Sequence, residues 1–119
     1  MTRQQGGRPP GNNCVTLVGR ISSPPLEREL PSGDLILTFR IVVGRERSPM
    51  TAKSKQSSDW VDCAAWGGRV RRSVRSWQVG DTVELEGALR RRFFRAEGRT
   101  STRVEVEVLS GRMVERVDG

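Results

Sequence analysis

The sequence predicts an all-β fold, a five-stranded barrel with one short helix between the third and fourth strands. Five stretches rich in branched or aromatic residues alternate with polar ones, and one stretch has apolar residues at helical spacing instead. The length of 119 residues allows one domain with a single modest core. The order of three strands, a helix and two strands is that of the OB-fold, a partly open Greek-key barrel.

The predicted strands are residues 15–21, 35–43, 60–66, 82–94 and 103–109. Alternation is clearest in the second, where every other residue from 35 to 43 is apolar, and in the fifth, where three valines share one face. Each strand is expected to bury one face and expose the other. The predicted breaks are Pro24, Pro25, Pro31 and Gly33 between the first two strands and Gly98 between the last two.

Two segments depart from the strand pattern. Val70, Val74 and Trp77 recur at i, i+4 and i+7 between Gly68 and Gly80, which predicts a short amphipathic helix with Trp77 as a core anchor. Residues 44–59 show no periodicity, and structureless loops of this length are usually functional or disordered. The loop is predicted to be a mobile cationic flap that carries Arg45, Arg47, Lys53 and Lys55.

Composition favours a polyanionic partner, because 21 Lys and Arg against 14 Asp and Glu give a net charge of +7. Nucleic acid is favoured over a membrane surface, since the chain has no long apolar run and no signal peptide. Residues 1–12 are Gly, Pro, Gln and Arg-rich and are predicted to be disordered. The two cysteines and the lack of histidine predict a cytoplasmic protein with no zinc, other metal or cofactor.

Aromatic and cationic residues recur on single faces of the predicted third and fourth strands. Side chains two residues apart in a strand lie on the same face, so Trp60 and Trp66 share one face of the third strand. Arg90, Arg92 and Phe94 share one face of the fourth. Aromatic faces beside cations are what binding of unpaired nucleic acid requires. Two alternatives stay open here: the tryptophans are core residues, or the arginines belong to a solvated edge strand. Trp77, by contrast, is assigned to the core.

Several motifs together resemble the bacterial single-stranded DNA-binding proteins over residues 13–115. The matching segments are Asn13-Cys14-Val15-Thr16-Leu17-Val18-Gly19-Arg20-Ile21, Pro25-Leu26-Glu27-Arg28, Pro31-Ser32-Gly33, Ser58-Asp59-Trp60 and Gly80-Asp81-Thr82-Val83-Glu84-Leu85-Glu86-Gly87-Ala88-Leu89-Arg90. Each is weak alone, but their order and spacing are specific.

The resemblance implies an OB-fold homotetramer, associated with the nucleoid, that wraps single-stranded DNA during replication, repair and recombination. It implies base stacking on Trp60, Trp66 and Phe94 and phosphate contacts from Arg90 and Arg92. The remaining candidate DNA-binding residues are the cations Arg20, Arg40, Arg45, Arg47, Lys53 and Lys55. The family binds DNA and catalyses nothing.

Three features depart from the family pattern. Arg47 stands near a position where the family often has a further Trp, and Asp62 lies on the binding face where a cation is usual. The chain stops at residues 116–119, without the acidic, hydrophobic tip that recruits other replication and repair proteins, so recruitment by that route is expected to be missing. The sequence is then either a truncated form or a tail-less paralogue.

Cys14 lies on the first strand, which in the family pairs with its symmetry mate across a two-fold interface. Two equivalent thiols near such an axis either form an inter-subunit disulfide or stay reduced as small apolar side chains. Cys63 shares its face with Val61 and Ala65 and is predicted to be a core residue.

Other functions for the same fold are an RNA-binding module and a primosome-type adaptor that uses the barrel surface on protein. A nuclease is disfavoured, because the chain lacks histidine and its acidic residues are scattered rather than clustered for a metal-assisted reaction.

Overall fold

A computed structural model describes residues 7–118 and contains a closed five-stranded barrel with one helix, as predicted. The elements are β1 (Val15–Glu29), β2 (Leu35–Gly44), β3 (Ser58–Ala65), α1 (Gly68–Arg75), β4 (Thr82–Ala96) and β5 (Arg99–Glu115). The strand order is β1-β2-β3-β5-β4, and β4 pairs back to β1. Neighbours are antiparallel except β3 and β5, which run parallel. This is the topology of the OB-fold.

The barrel interior is filled by the apolar face of each strand. Its buried strand residues are Ile21, Leu37, Phe39, Ile41, Cys63, Ala65, Val83, Leu85, Val106 and Val108. The predicted core positions of Trp77 and Cys63 are confirmed, with 4% and 1% of their surfaces exposed. The Trp77 ring meets Phe39 edge to face, with centroids 5.7 Å apart. Gly111 makes room for that indole, since a Cβ there would lie 2.7 Å from its ring.

The prediction that Pro24 and Pro25 end the first strand is wrong, because β1 continues to Glu29. The prolines fall between Ser23 and Leu26, where the pairing of β1 with β2 shifts register. A bulge tolerates the missing proline N–H, and β1 pairs with β4 only up to Arg20, so this part of the strand has a free edge.

The helix is shorter than the predicted segment. It ends at Arg75, and Trp77 enters the core from the turn that follows. Two arginines hold α1 in place: Arg71 donates from Nε to the Trp66 carbonyl at 3.0 Å, and both Arg71 and Arg75 pair with Glu27 of β1.

The last two strands form a hairpin longer than the sequence predicts. The two turn residues, Glu97 and Gly98, have φ of 52° and 75°. Positive φ at both positions is the geometry of tight two-residue hairpins, which twist with their strands. Pairing therefore continues without a gap from the turn to the Leu89–Val106 pair.

The ends of the described chain are held by side chains rather than by strands. Asn13 pairs through both amide atoms with the backbone of Leu89, at 2.8 Å each. The buried Asp81 carboxylate accepts hydrogen bonds from the Gln78 and Val117 amides and from Arg116. Residues 7–14 form no helix or strand, and the disorder predicted for residues 1–12 falls partly outside the described residues.

Candidate nucleic-acid interface

The outer face of β3 presents an exposed indole. Trp60 has 61% of its surface exposed, which rules out the core alternative for this residue. The Arg40 guanidinium of β2 lies 4.1 Å from the ring centroid and donates from Nε to Asp62 at 3.0 Å. Cation–π contact and ion pair together fix the indole against the sheet, with much of its surface open to solvent. Asp62, which lies on this face where a cation is usual, is thus paired with a cation.

A second aromatic ring lies on the β4–β5 part of the same surface. Phe94 is partly buried, with the guanidinium carbons of Arg92 and Arg103 lying 4.9 and 4.6 Å from its centroid. Arg103 is a site residue that the sequence reasoning missed. Its place beside Phe94 depends on the register that sets it directly opposite Arg92 in the hairpin, which the sequence does not show.

Arg92 is held from the other side by Glu105. The two contacts from its guanidinium to this carboxylate measure 2.6 Å and 3.5 Å. Only 18% of the Arg92 side chain and 4% of the Glu105 side chain are exposed. Buried ion pairs of this kind are costly to break, because the remaining charge is left without a partner.

Arg90 occupies a more open position two residues earlier on β4. Its Nε lies 2.9 Å from Glu107, and 52% of its side chain is exposed. Exposed pairs contribute little to stability, so this guanidinium can exchange its carboxylate for another anion. Glu105 and Glu107 are the carboxylates on β5 that the sequence reasoning did not pair with the two arginines.

Two adjoining depressions join these residues into one surface. The larger, of about 500 Å³, is lined by Arg40, Asp62, Arg92, Phe94 and Arg103 among others. The smaller, of about 320 Å³, lies beside it and contains the partly buried Trp66 and Arg90. Both are lined by Arg92 and Glu105, so the two depressions form one continuous groove from Trp66 to Phe94.

The cations of the loop between β2 and β3 divide into two groups. Arg45, predicted to be part of a mobile flap, is tied to Asp59 at 2.9 Å, which raises the pKa of the arginine and lowers that of the carboxyl. The other three, Arg47, Lys53 and Lys55, are exposed, and none pairs with a carboxylate among residues 7–118.

Arg20 is not brought to the same place. It lies in a separate depression with Gly80, Thr82 and residues 115–118, away from the groove that holds Phe94. Cys14, predicted to lie on the first strand, lies immediately before it, since β1 begins at Val15. It is exposed, and its thiol lies 3.4 Å from the Asn12 side-chain oxygen.

No group of three or more metal-ligating side chains occurs within the part of the chain that the structure describes. In that same part, the helix is too short and too polar to cross a membrane.

Comparison with known proteins identifies relatives of this chain. A single-stranded DNA-binding protein of Mycolicibacterium smegmatis is 30% identical over 106 residues, covering 82% of this chain and 61% of the relative. One of Aquifex aeolicus is 24% identical over 107 residues, covering 90% and 73%. The chain thus spans only part of the length of these relatives.

A solved structure, a Plasmodium falciparum SSB complex with ssDNA, superposes with a TM-score of 0.72 at 19% identity and covers 94% of this chain and all of that one. The similarity confirms the fold. The model of the single-strand binding protein family matches residues 12–114. This chain therefore belongs to the single-strand binding protein family.

Proposed function

We propose that this protein binds single-stranded DNA without sequence preference. The observation that carries the proposal is the continuous surface from Trp66 to Phe94 beside arginine side chains, with the exposed Trp60 joined to it through Arg40. Unpaired bases stack on aromatic faces whatever their sequence, and cations track the backbone that joins them. Duplex DNA offers no free base faces to such a surface.

The arginines of the groove have different roles in binding DNA. Arg90, half exposed, turns from Glu107 to a phosphate when DNA arrives. Arg92 stays with the buried Glu105 and presents its guanidinium plane beside Phe94, so that it orders the stacking site as well as adding positive potential. Arg40 plays the corresponding part at Trp60.

The loop and the more distant cations extend the path. Arg47, Lys53 and Lys55 are exposed on the loop that leads into β3 and meet phosphates outside the groove. Arg45 orders the base of that loop through Asp59. Arg20 contacts DNA only where a longer strand leaves the groove, since it lies in a separate depression.

We propose that the protein acts as a homotetramer in replication, recombination and repair, in the cytoplasm and associated with the nucleoid. The relatives in this family are named single-stranded DNA-binding proteins. Their shared naming for binding supports the proposal that this protein is not an enzyme.

The test is equilibrium binding of a labelled oligo(dT) at two salt concentrations, with RNA and duplex DNA as competitors. Each phosphate neutralised on a single strand contributes about −0.7 to the slope of log K against log salt, so binding should weaken steeply with salt. Displacement by RNA at equal concentration, or affinity insensitive to salt, would instead support the RNA-binding or adaptor function.

A further inference from the structure

The β4–β5 hairpin carries a phenylalanine on each of its faces. Phe94 belongs to the groove, whereas Phe93 points to the opposite side and has 71% of its surface exposed. Side chains alternate along a strand, so the Phe93 face also carries Arg91 and Arg95. This face continues the barrel's interior face beyond the point where other elements cover it.

The cations beside Phe93 differ from those beside Phe94. Arg91 donates to the Thr102 hydroxyl at 3.1 Å. Neither Arg91 nor Arg95 pairs with any carboxylate of residues 7–118, whereas Arg90 and Arg92 on the groove side both do. Residues 90–103 contain six arginines and one glutamate, a net charge of +5.

A polyanion with stackable rings complements this face better than a second copy of the chain does. Two copies meeting through it would bring together two hairpin ends, residues 90–103, each with a net charge of +5. Beyond Leu89 and Val106, β4 and β5 pair only with each other among the described strands. Both edges of the hairpin are therefore open, and single-stranded DNA can pass over them from one face to the other.

We propose that the back of the hairpin is a second single-stranded DNA site, in which a base stacks on Phe93 and phosphates meet Arg91 and Arg95. This inference rests on the proposed function, since the DNA strand reaches the back of the hairpin from the groove. A short oligomer fills the groove alone, and a longer one passes around the hairpin and occupies both faces.

The test compares variants on oligo(dT) of about 5 and about 30 nucleotides, lengths near the lower limit and roughly twice the upper limit for one OB-fold. Phe93→Ala should weaken binding of the long oligomer about 5- to 150-fold, the range of one lost base stack, and leave the short one unchanged. Phe93→Trp, which keeps an aromatic face, should retain the long-oligomer affinity.

Two further variants keep this result separate from the proposed function. Val79→Ala truncates an apolar side chain that is 50% exposed just before the start of β4, at the opposite end of that strand from Phe93, and should change neither affinity. Phe94→Ala should weaken both oligomers. Loss with Phe94→Ala but none with Phe93→Ala on the long oligomer would overturn the second site alone, and wild-type protein that binds neither oligomer would overturn the proposed function.

A protein-binding role for Phe93 has its own signature. If Phe93→Ala weakens both oligomers equally and lowers the mass measured by light scattering, the face is an interface between copies and the second DNA site is refuted. An unchanged melting temperature of Phe93→Ala is expected, since the ring is exposed.

Discussion

Two arginines on the same face of β4 have ion pairs that differ in burial, and this difference predicts unlike effects of the same substitution. Arg92→Ala leaves Glu105, 4% exposed, without its partner. Arg90→Ala leaves Glu107, 27% exposed, free to be solvated. Truncating one partner of a buried pair costs about 3–5 kcal/mol, whereas exposed pairs contribute about 0–1 kcal/mol.

We expect Arg92→Ala to lower the free energy of unfolding by about 3 kcal/mol or more and Arg90→Ala by less than about 1 kcal/mol. For a domain of this size the first value corresponds to a fall in melting temperature of about 12 °C or more. Urea unfolding followed by circular dichroism, at one protein concentration for all variants, measures the difference.

A double variant controls for loss of packing. Arg92→Met with Glu105→Gln removes both charges, so much of the stability lost in Arg92→Ala should return. Equal destabilisation by Arg90→Ala and Arg92→Ala would refute the structural role of the buried pair. In DNA binding Arg90→Ala should have the larger effect of the two variants. It should make the salt slope shallower by about 0.7, the contribution of one phosphate. An unaltered slope would show that Arg90 does not contact phosphate.

Two further predictions follow from buried groups and thiols. Burial acts to raise the pKa of Asp81, but hydrogen bonds from Val117 and Gln78 and the charge of Arg116 bring it below its usual value. The stabilisation is therefore present above the unfolded pKa of about 3.9 and lost as pH falls through the lower folded value, so the melting temperatures of wild type and Asp81→Asn should converge as pH falls below about 3.9; a constant gap between them would contradict this. Burial raises the pKa of the Cys63 thiol to about 12, with Asp62 and Glu105 adding to the shift. After reduction, the native protein should therefore show one reactive thiol, that of Cys14, and a second only when unfolded. Two reactive thiols in the native state would contradict the burial, and a dimer-mass band on a non-reducing gel, absent in Cys14→Ser, would show the inter-subunit disulfide.

The strands were predictable where one face is apolar and the other polar. Alternation in residues 35–43 located β2 to within a residue, because its core-facing side chains must all point the same way. The extensions of β1 and β5 carry no such signal. Arg99 to Arg103 is polar throughout and becomes strand through backbone pairing with β4, and residues 24–29 do so despite two prolines.

The site was predictable along each strand but not between strands. Parity assigned Trp60 to one face of β3 and Arg90, Arg92 and Phe94 to one face of β4. The pairing of those arginines with β5 depends on register between strands, which depends on the hairpin turn and a shift near Gly87. For this reason the carboxylates and Arg103 were missed.

The proposed mode of binding depends on bases stacking on Trp60, and intrinsic tryptophan fluorescence reports on that contact. Titration with oligo(dT) should quench the wild-type emission, and Trp60→Ala should both remove part of that quenching and weaken binding by about 1–3 kcal/mol with the fold intact. Trp77 is buried and contributes constant emission in both proteins. Unchanged wild-type emission at saturating DNA, or equal quenching and affinity in Trp60→Ala, would show that bases do not stack on this indole.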